Sequence, residues 1–278
     1  MIQRNAPAKI NLFLKVVGKR DDGYHDIISL MRQIDLYDEM TFSGTAAGIT
    51  VRCPGSDLPG NEGNLVYRAA KAFYQQTAIN AGIEITLKKN IPIGAGLGGG
   101  SSDAAATLVA LNEMHGAPLA TEELSRLGES LGADVPFFIY GKTAWASGKG
   151  EVLTEANGVP PFWVVLINPG FQVSTGDVYR GLNLGLTKKI INYRIPRFSS
   201  VNDVASGLEN DLEQVTFTLH PVLKRMKAFL LENGALGAAM TGSGPTMFGI
   251  FADQDAAARA EKNASINSGW LTFCVRSL

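Results

Sequence analysis

The chain lacks most of what would tie it to an oxidising compartment, a membrane or a polyanion. Its 278 residues include two cysteines, Cys53 and Cys274, which make neither a disulfide framework nor a metal-ligand spacing. That scarcity fits a reducing cytoplasm. The formal net charge is -1, so no global field steers the chain to nucleic acid or to an anionic membrane. No apolar run reaches the roughly 18 residues that a membrane span needs, and Met1 to Pro7 does not read as a signal peptide. Internal repeats and low-complexity tracts are missing as well.

What is present is an ordinary globular composition, 45% hydrophobic and 18% charged, on a chain long enough for two domains that each bury a core. One stretch organises it: Ile91-Pro92-Ile93-Gly94-Ala95-Gly96-Leu97-Gly98-Gly99-Gly100-Ser101-Ser102. Five glycines fall within the seven residues from Gly94 to Gly100, more than a tight turn requires. The alternating Ile83-Glu84-Ile85-Thr86-Leu87 precedes the loop as a strand, and the alanine-rich Ala104 to Leu111 follows it as a helix. Such a loop lets bare backbone N–H groups approach an anion, and the helix start adds unpaired donors and a positive dipole end. Ser101 and Ser102 can cap the helix and offer hydroxyls to a phosphate or its metal ion.

Three known loop types compete for this stretch. Gly94-x-Gly96-x-x-Gly99 fits the dinucleotide fingerprint, but a second helical pattern, Thr121 to Leu127, follows where that unit needs a parallel strand. A Walker A loop ends in Gly-Lys-Ser/Thr, and no lysine stands there. A protein-kinase loop needs His-Arg-Asp and Asp-Phe-Gly downstream, and neither occurs.

Elsewhere, Ala8 to Val17 alternates as a strand. Ile10, Leu12, Leu14 and Val16 take one face; Lys9, Asn11, Phe13 and Lys15 take the other, which by spacing alone reads as solvated. Ile27 to Phe42 reads mostly as strand, Val51 to Asn64 as loop, and Asn64 as the cap of a helix from Leu65 to Gln76. Asp134 stands between a helix ended by Gly132 and an apolar strand opened by Pro136. A carboxylate there is either a cap or turn former or a partly desolvated base. The glycine- and proline-rich segment 141–161 places a domain boundary near 155–160, dividing the chain into 1–157 and 158–278. The strand Phe162 to Ile167, a short helix opening at Ser174 and a basic mobile surface segment over 188–202 are expected next. A helix from Leu219 to Gly234 follows, then a strand–loop–strand unit around Thr241-Gly242-Ser243-Gly244, a helix over 255–264 and a strand over 271–275.

Three of these motifs occur in one family in the same order: Pro7-Ala8-Lys9-Ile10-Asn11-Leu12, the glycine–serine loop, and Thr241-Gly242-Ser243-Gly244. The chain resembles, essentially end to end, the superfamily of galactokinase, homoserine kinase, mevalonate kinase and phosphomevalonate kinase. Gly23-Tyr24-His25, Gly98 to Ser102, Gly132-Ala133-Asp134-Val135-Pro136-Phe137 and Asn210-Asp211-Leu212-Glu213 are similar to one branch of it. That branch phosphorylates a tertiary alcohol linked to cytidine diphosphate, in non-mevalonate isoprenoid precursor biosynthesis.

The resemblance implies an α+β fold in two domains, with substrate in the cleft between them. The first is an N-terminal ATP-binding α/β domain with a left-handed βαβ unit, and the second a C-terminal ferredoxin-like αβ sandwich. It implies ATP as phosphoryl donor and Mg2+ as its metal ion. By the same resemblance Lys9 and Asp134 are the catalytic pair, and Asn11 orients the substrate. Tyr24, His25 and Tyr179 form the cytosine pocket, with Thr175 in the same substrate segment. Asn64 and Lys89 lie beside the adenosine, and Pro92, Ile93, Gly94, Ala95, Gly96, Leu97, Gly98, Gly99, Gly100, Ser101 and Ser102 hold the triphosphate. Thr241, Gly242, Ser243 and Gly244 complete the ATP site, and the Ser102 hydroxyl is the metal ligand. A monomer or weak homodimer in the cytoplasm is implied, without nucleic-acid or membrane partners. The alternatives are a relative acting on homoserine or a mevalonate, which would not need the Tyr24, His25 and Tyr179 trio, a nucleotide sensor without turnover, and a nicotinamide-dependent oxidoreductase.

Overall fold

The structure, a computed structural model, describes residues 1–182 and 198–278. The surface segment expected over 188–202 therefore lies outside the described residues up to 197, and helix begins at Val201. The chain forms two compact units that interleave in sequence. The first comprises Met1–Ala8, Leu36–Ile93 and Gly98–Lys142; the second comprises Lys9–Asp35, Gly94–Leu97 and Thr143–Leu278. Two long strands, β1 (Ile2–Lys19) and β2 (His25–Thr45), contribute residues to both.

In the first unit, β3 (Ile49–Arg52) runs parallel to β4 (Gly82–Lys88), which pairs antiparallel with Glu39 to Thr45 of β2. The alternation of β4 buries Ile83, Ile85 and Leu87, as a strand with one apolar face must. Val51 and Arg52, expected as loop, belong to β3, which is too short to display a period. Helix α1 (Leu65–Thr77) starts after Asn64, whose Oδ1 accepts from the Val66 N–H at 2.9 Å, the cap read from the sequence. It packs on α2 (Gly99–Met114), which α3 (Thr121–Leu131) and α4 (Val135–Tyr140) also meet.

The apolar run after Pro136, expected as a strand, is helix α4. A short apolar run carries no period that separates the two, and Pro136 sits in the first turn, where its missing N–H costs nothing. Val135, Pro136, Phe137 and Phe138 are all buried, and Gly128 of α3 lets Val135 approach where a Cβ would collide.

From Thr143 onward the second unit continues with a hairpin, β5 (Ala144–Gly148) and β6 (Val152–Glu155), with β5 antiparallel to Ile27–Met31 of β2. It lies in the glycine- and proline-rich segment 141–161, for which no strand was expected, because two such short strands show little alternation between their glycines. Then come β7 (Trp163–Asn168), α5 (Thr175–Gly181), α6 (Val201–Ser206), β8 (Glu209–Asn210), α7 (Glu213–Leu219) and α8 (Val222–Glu232). The chain closes with β9 (Gly237–Met240), β10 (Met247–Phe251), α9 (Gln254–Ser268) and β11 (Leu271–Arg276). The helix expected from Leu219 to Gly234, with Pro221 suiting its first turn, is α8, which starts directly after Pro221; α7, ending at Leu219, was not expected, and Pro221 separates the two.

An antiparallel sheet runs in the order β11-β7-β10-β9, the ferredoxin-like order that the resemblance implies. On it, Leu223, Met226 and Leu230 of α8 and Ala257, Ala260 and Ala264 of α9 share one core with Val165, Ile167, Met247 and Phe251. The two-residue β8 lies parallel to β1, with Phe13 opposite Glu209 and Leu14 opposite Asn210.

The turn from α2 to α3 hangs on one side chain. Buried Asn112 donates to the Leu119 carbonyl at 2.9 Å and accepts from the Leu119 N–H at 3.0 Å. Asn112→Ala leaves both backbone groups unpaired and should cost about 1–3 kcal/mol. Urea unfolding of the two proteins measures this; equal midpoints would contradict it.

Candidate active site

The first glycine loop ends in the start of α2. Gly98 is the N-cap residue with φ 73, a left-handed conformation open to glycine, and no side chain caps this helix. Ser101 and Ser102, expected as caps, instead lie inside the first turns, where the Ser102 N–H already donates to the Gly98 carbonyl at 2.9 Å. The Ser102 hydroxyl is buried and has no hydrogen-bond partner. A turn earlier in the loop, Gly96 has φ 77, and a Cβ there would overlap the Thr241 carbonyl oxygen. Both features require glycine, so the two glycine clusters of the sequence meet backbone to backbone.

Lys9 and Asn11 do not face water. They are 4% and 3% exposed, which corrects the solvated-face reading of β1. The Lys9 ammonium donates to Asn11 Oδ1 at 2.7 Å, and the Lys9 backbone N–H donates to the Leu97 carbonyl at 2.9 Å. Asn11 Nδ2 in turn donates to the Ser29 hydroxyl at 2.8 Å, and Ser29 donates to the Phe13 carbonyl at 2.7 Å. Thr241, fully buried, places its hydroxyl 3.2 Å from Asn11 Oδ1 and 3.1 Å from the Gly96 carbonyl, and accepts from the Asn11 N–H at 3.2 Å. A lysine, an asparagine and both glycine loops are thus one hydrogen-bonded assembly.

The approach to the first loop is fixed separately, within the first unit. Lys89 makes buried ion pairs with Asp38 and with Asp103, the latter at 2.8 Å. Asp38 Oδ1 also accepts from the backbone N–H groups of Asn90 at 2.6 Å and Ile91 at 2.9 Å. Two carboxylates therefore share one ammonium out of water. Burial pushes the Asp103 carboxyl up to about 7; the charge of Lys89 opposes that rise and the charge of Asp38 adds to it. Sequence reading took Lys89 alone and missed both aspartates, since nothing local in Asp38 or Asp103 shows that the fold joins them.

His25 and Tyr179 pack ring to ring, with centroids 5.0 Å apart, and Tyr24 beside His25 is 59% exposed with the Lys149 ammonium 5.5 Å from its ring centroid. Burial, then the charge of Lys19, hold the His25 imidazole below its usual value. Thr175 reaches the second glycine loop through a 2.8 Å hydrogen bond between its hydroxyl and that of Ser243. In the first unit, Asp134 occupies the N-cap position of α4, half-buried, and its carboxylate makes no capping bond to that helix.

A glycine loop feeding a helix start, in an α+β frame, is suited to holding phosphate. The model for the N-terminal domain of GHMP kinases matches residues 64–142, and the model for the GHMP kinase C-terminal region matches residues 196–267. The class is an ATP-dependent small-molecule kinase. A 4-diphosphocytidyl-2-C-methyl-D-erythritol kinase of Syntrophus aciditrophicus is 53% identical over 278 residues, all of both chains. A crystal structure of 4-(cytidine 5'-diphospho)-2C-methyl-D-erythritol kinase superposes with TM-score 0.84 at 36% identity, covering 99% of each chain. The homoserine kinase of Cytophaga hutchinsonii shares the fold, with TM-score 0.75 at 22% identity over 100% of this chain and 94% of its own. The chain belongs to the family of 4-diphosphocytidyl-2-C-methyl-D-erythritol kinases.

The burial of Asp103 makes stability depend on pH. Asp103 holds its proton to higher pH folded than unfolded, so its contribution to stability is full below the unfolded value near 4 and is lost as pH rises through about 7. Asp103→Asn removes that titration. Urea midpoints at pH 5 and pH 8 should fall with pH in the wild type and differ less in the variant; identical pH slopes would contradict this account of the buried triad.

Proposed function

We propose that this chain transfers the γ-phosphoryl group of ATP to the 2-hydroxyl of 4-diphosphocytidyl-2-C-methyl-D-erythritol, in the non-mevalonate formation of isoprenoid precursors. The observation that carries the reading is the full-length 53% identity to an enzyme of that name. The acceptor is a hindered, weakly acidic tertiary alcohol, so the protein's task is positioning and charge stabilisation. Asp134 accepts or orients the hydroxyl proton. Lys9 presents its ammonium to the phosphoryl group, and a charge held out of bulk water acts more strongly there. Asn11 holds that ammonium and orients the acceptor.

The triphosphate lies on the backbone of 92–102, and Asn64, Lys89 and the Thr241 to Gly244 loop complete the ATP site. In this reading Lys89 and Thr241 serve largely through the contacts that occupy them. Magnesium fits the donor set in one respect: the buried Ser102 hydroxyl lacks a partner. Among the described residues no three His, Cys, Asp or Glu side chains gather to hold a metal, so phosphate oxygens would supply most of its ligands. Held near Ser102, a magnesium ion would supply neutralisation of phosphate charge.

Tyr24 and Tyr179 stack on the cytosine and His25 reads its edge. A neutral imidazole, favoured by its environment, offers one donor and one acceptor. Thr175 belongs to the same substrate segment. Residues 1–157 form the nucleotide half in this proposal and 158–278 the substrate half; the two family matches fall one within each. Among the described residues no helix is long and apolar enough to cross a membrane. A cytoplasmic monomer or weak homodimer, without nucleic-acid or membrane partners, completes the proposal.

Asp134→Asn should keep its fold and its ATP affinity while kcat falls about 10²- to 10⁴-fold, the usual worth of a positioned base. Steady-state kinetics beside ATP titration checks this, and a near wild-type kcat would remove Asp134 from the chemistry. Tyr179→Ala should raise KM for the cytidine substrate with KM for ATP nearly unchanged. Cytidine diphosphate should compete with that substrate more strongly than uridine diphosphate. Equal inhibition by the two would exclude a cytosine pocket.

A further inference from the structure

Asn210-Asp211-Leu212-Glu213 stands out in the sequence, yet none of its residues belongs to the site proposed above. In the structure all three polar side chains of this motif are engaged. Asn210 is 7% exposed, and its single amide nitrogen donates to the carbonyls of Met240 at 2.7 Å and Gly242 at 2.8 Å. Its Oδ1 accepts from the Leu212 N–H at 2.9 Å. Asp211 accepts from the Val16 N–H at 2.9 Å and from Lys15 at 3.1 Å, and its own N–H donates to the Leu14 carbonyl at 3.0 Å. Glu213 accepts from the Met240 N–H at 2.8 Å and from Lys227 at 2.6 Å.

Three of these bonds converge on one stretch, Met240 to Gly242. Both backbone polar groups of Met240 are held by the motif, and so is the carbonyl of Gly242; the residue between them is Thr241. Its hydroxyl, in turn, lies against Asn11 and Gly96. At the other end, Asp211 grips β1 a few residues beyond Lys9 and Asn11. Only a primary amide of this length offers two donors and an acceptor from one short side chain.

We propose that Asn210 is a positioning residue: by clamping the carbonyls on either side of Thr241 it sets the hydroxyl that registers Asn11 and the first glycine loop for phosphoryl transfer. This rests on the proposed kinase reading. Asn210 touches neither nucleotide nor acceptor in that reading, so its loss acts on alignment rather than on affinity. Misplacement by about 1 Å can cost around 100-fold in rate.

The test is Asn210→Asp in the full chain. The change keeps size and shape but sets carboxylate oxygen against two carbonyl oxygens. Expected are a kcat lowered about 10- to 100-fold, KM values for ATP and for the cytidine substrate within about threefold of wild type, and faster amide hydrogen exchange across 240–246. A folded variant with kcat within twofold of wild type, or with unchanged exchange over 240–246, overturns the proposal. If Asn210→Asp does not fold, Asn210→Ser is read by the same two measurements and the same criteria. Hydrogen exchange needs no substrate. A wild type inactive on the cytidine substrate would therefore sink the kinase reading, while exchange would still judge the clamp.

Discussion

A lysine ammonium removed from water must be given hydrogen-bond acceptors, and much of the second unit is built to supply and hold one for Lys9. Burying an unpaired charge is among the costliest events in folding. Here Asn11 provides the carbonyl oxygen, and that oxygen is useful only if the amide cannot rotate away. Ser29 holds the opposite end of the amide, and Thr241 approaches from the far hairpin. The strand carrying Lys9 is tied to the glycine loop by its own backbone at Leu97. The position of a single charge thus fixes the spacing of three segments that are far apart in sequence. Rigidity of this kind suits phosphoryl transfer, where fixed charges that need no reorganisation stabilise the transition state most effectively.

The same device recurs in the first unit with different chemistry. There Lys89 is held by two carboxylates rather than by an amide, and the surplus negative charge is relieved by Asp103 holding its proton to near-neutral pH. Asp38 spends its remaining oxygen on the backbone just before the glycine loop. One buried cation therefore fixes the stretch entering the loop, and another fixes the strand whose backbone meets the end of that loop at Leu97. Glycine provides the conformations, but the loop's course is set by polar contacts made outside it.

Much of this was legible in the sequence. Strand, glycine loop and helix, the Asn64 cap, and the hairpin around Thr241 to Gly244 are encoded by near neighbours, and local physics suffices to read them. Family resemblance added the ferredoxin-like sheet order and the class of reaction. What could not be read depends on partners distant along the chain. Lys9 and Asn11 have the spacing of a solvated face, and contacts with Ser29, Thr241 and Leu97, distant along the chain, help make that face interior. Asp38 and Asp103 look unremarkable until the fold places Lys89 between them. The helix at Val135 to Tyr140 and the hairpin over 144–155 were missed for the opposite reason: they are local, but too short for any period to declare itself. Ser101 and Ser102 have the right chemistry for caps, but a glycine in the left-handed region had already begun the helix.

The central claim is that this assembly delivers phosphate to a tertiary hydroxyl carried by a cytidine diphosphate. Proton-coupled phosphorus NMR of a reaction holding ATP, magnesium and the purified protein tests it most directly, with the cytidine substrate, homoserine and mevalonate supplied separately. The oxygen-bearing carbon of a tertiary alcohol carries no hydrogen to split the signal of a phosphate attached through that oxygen. The account predicts a new unsplit phosphomonoester resonance with the cytidine substrate alone, growing in step with ADP. A new resonance split by protons on the ester carbon, or turnover with homoserine or mevalonate but not with the cytidine substrate, would contradict it.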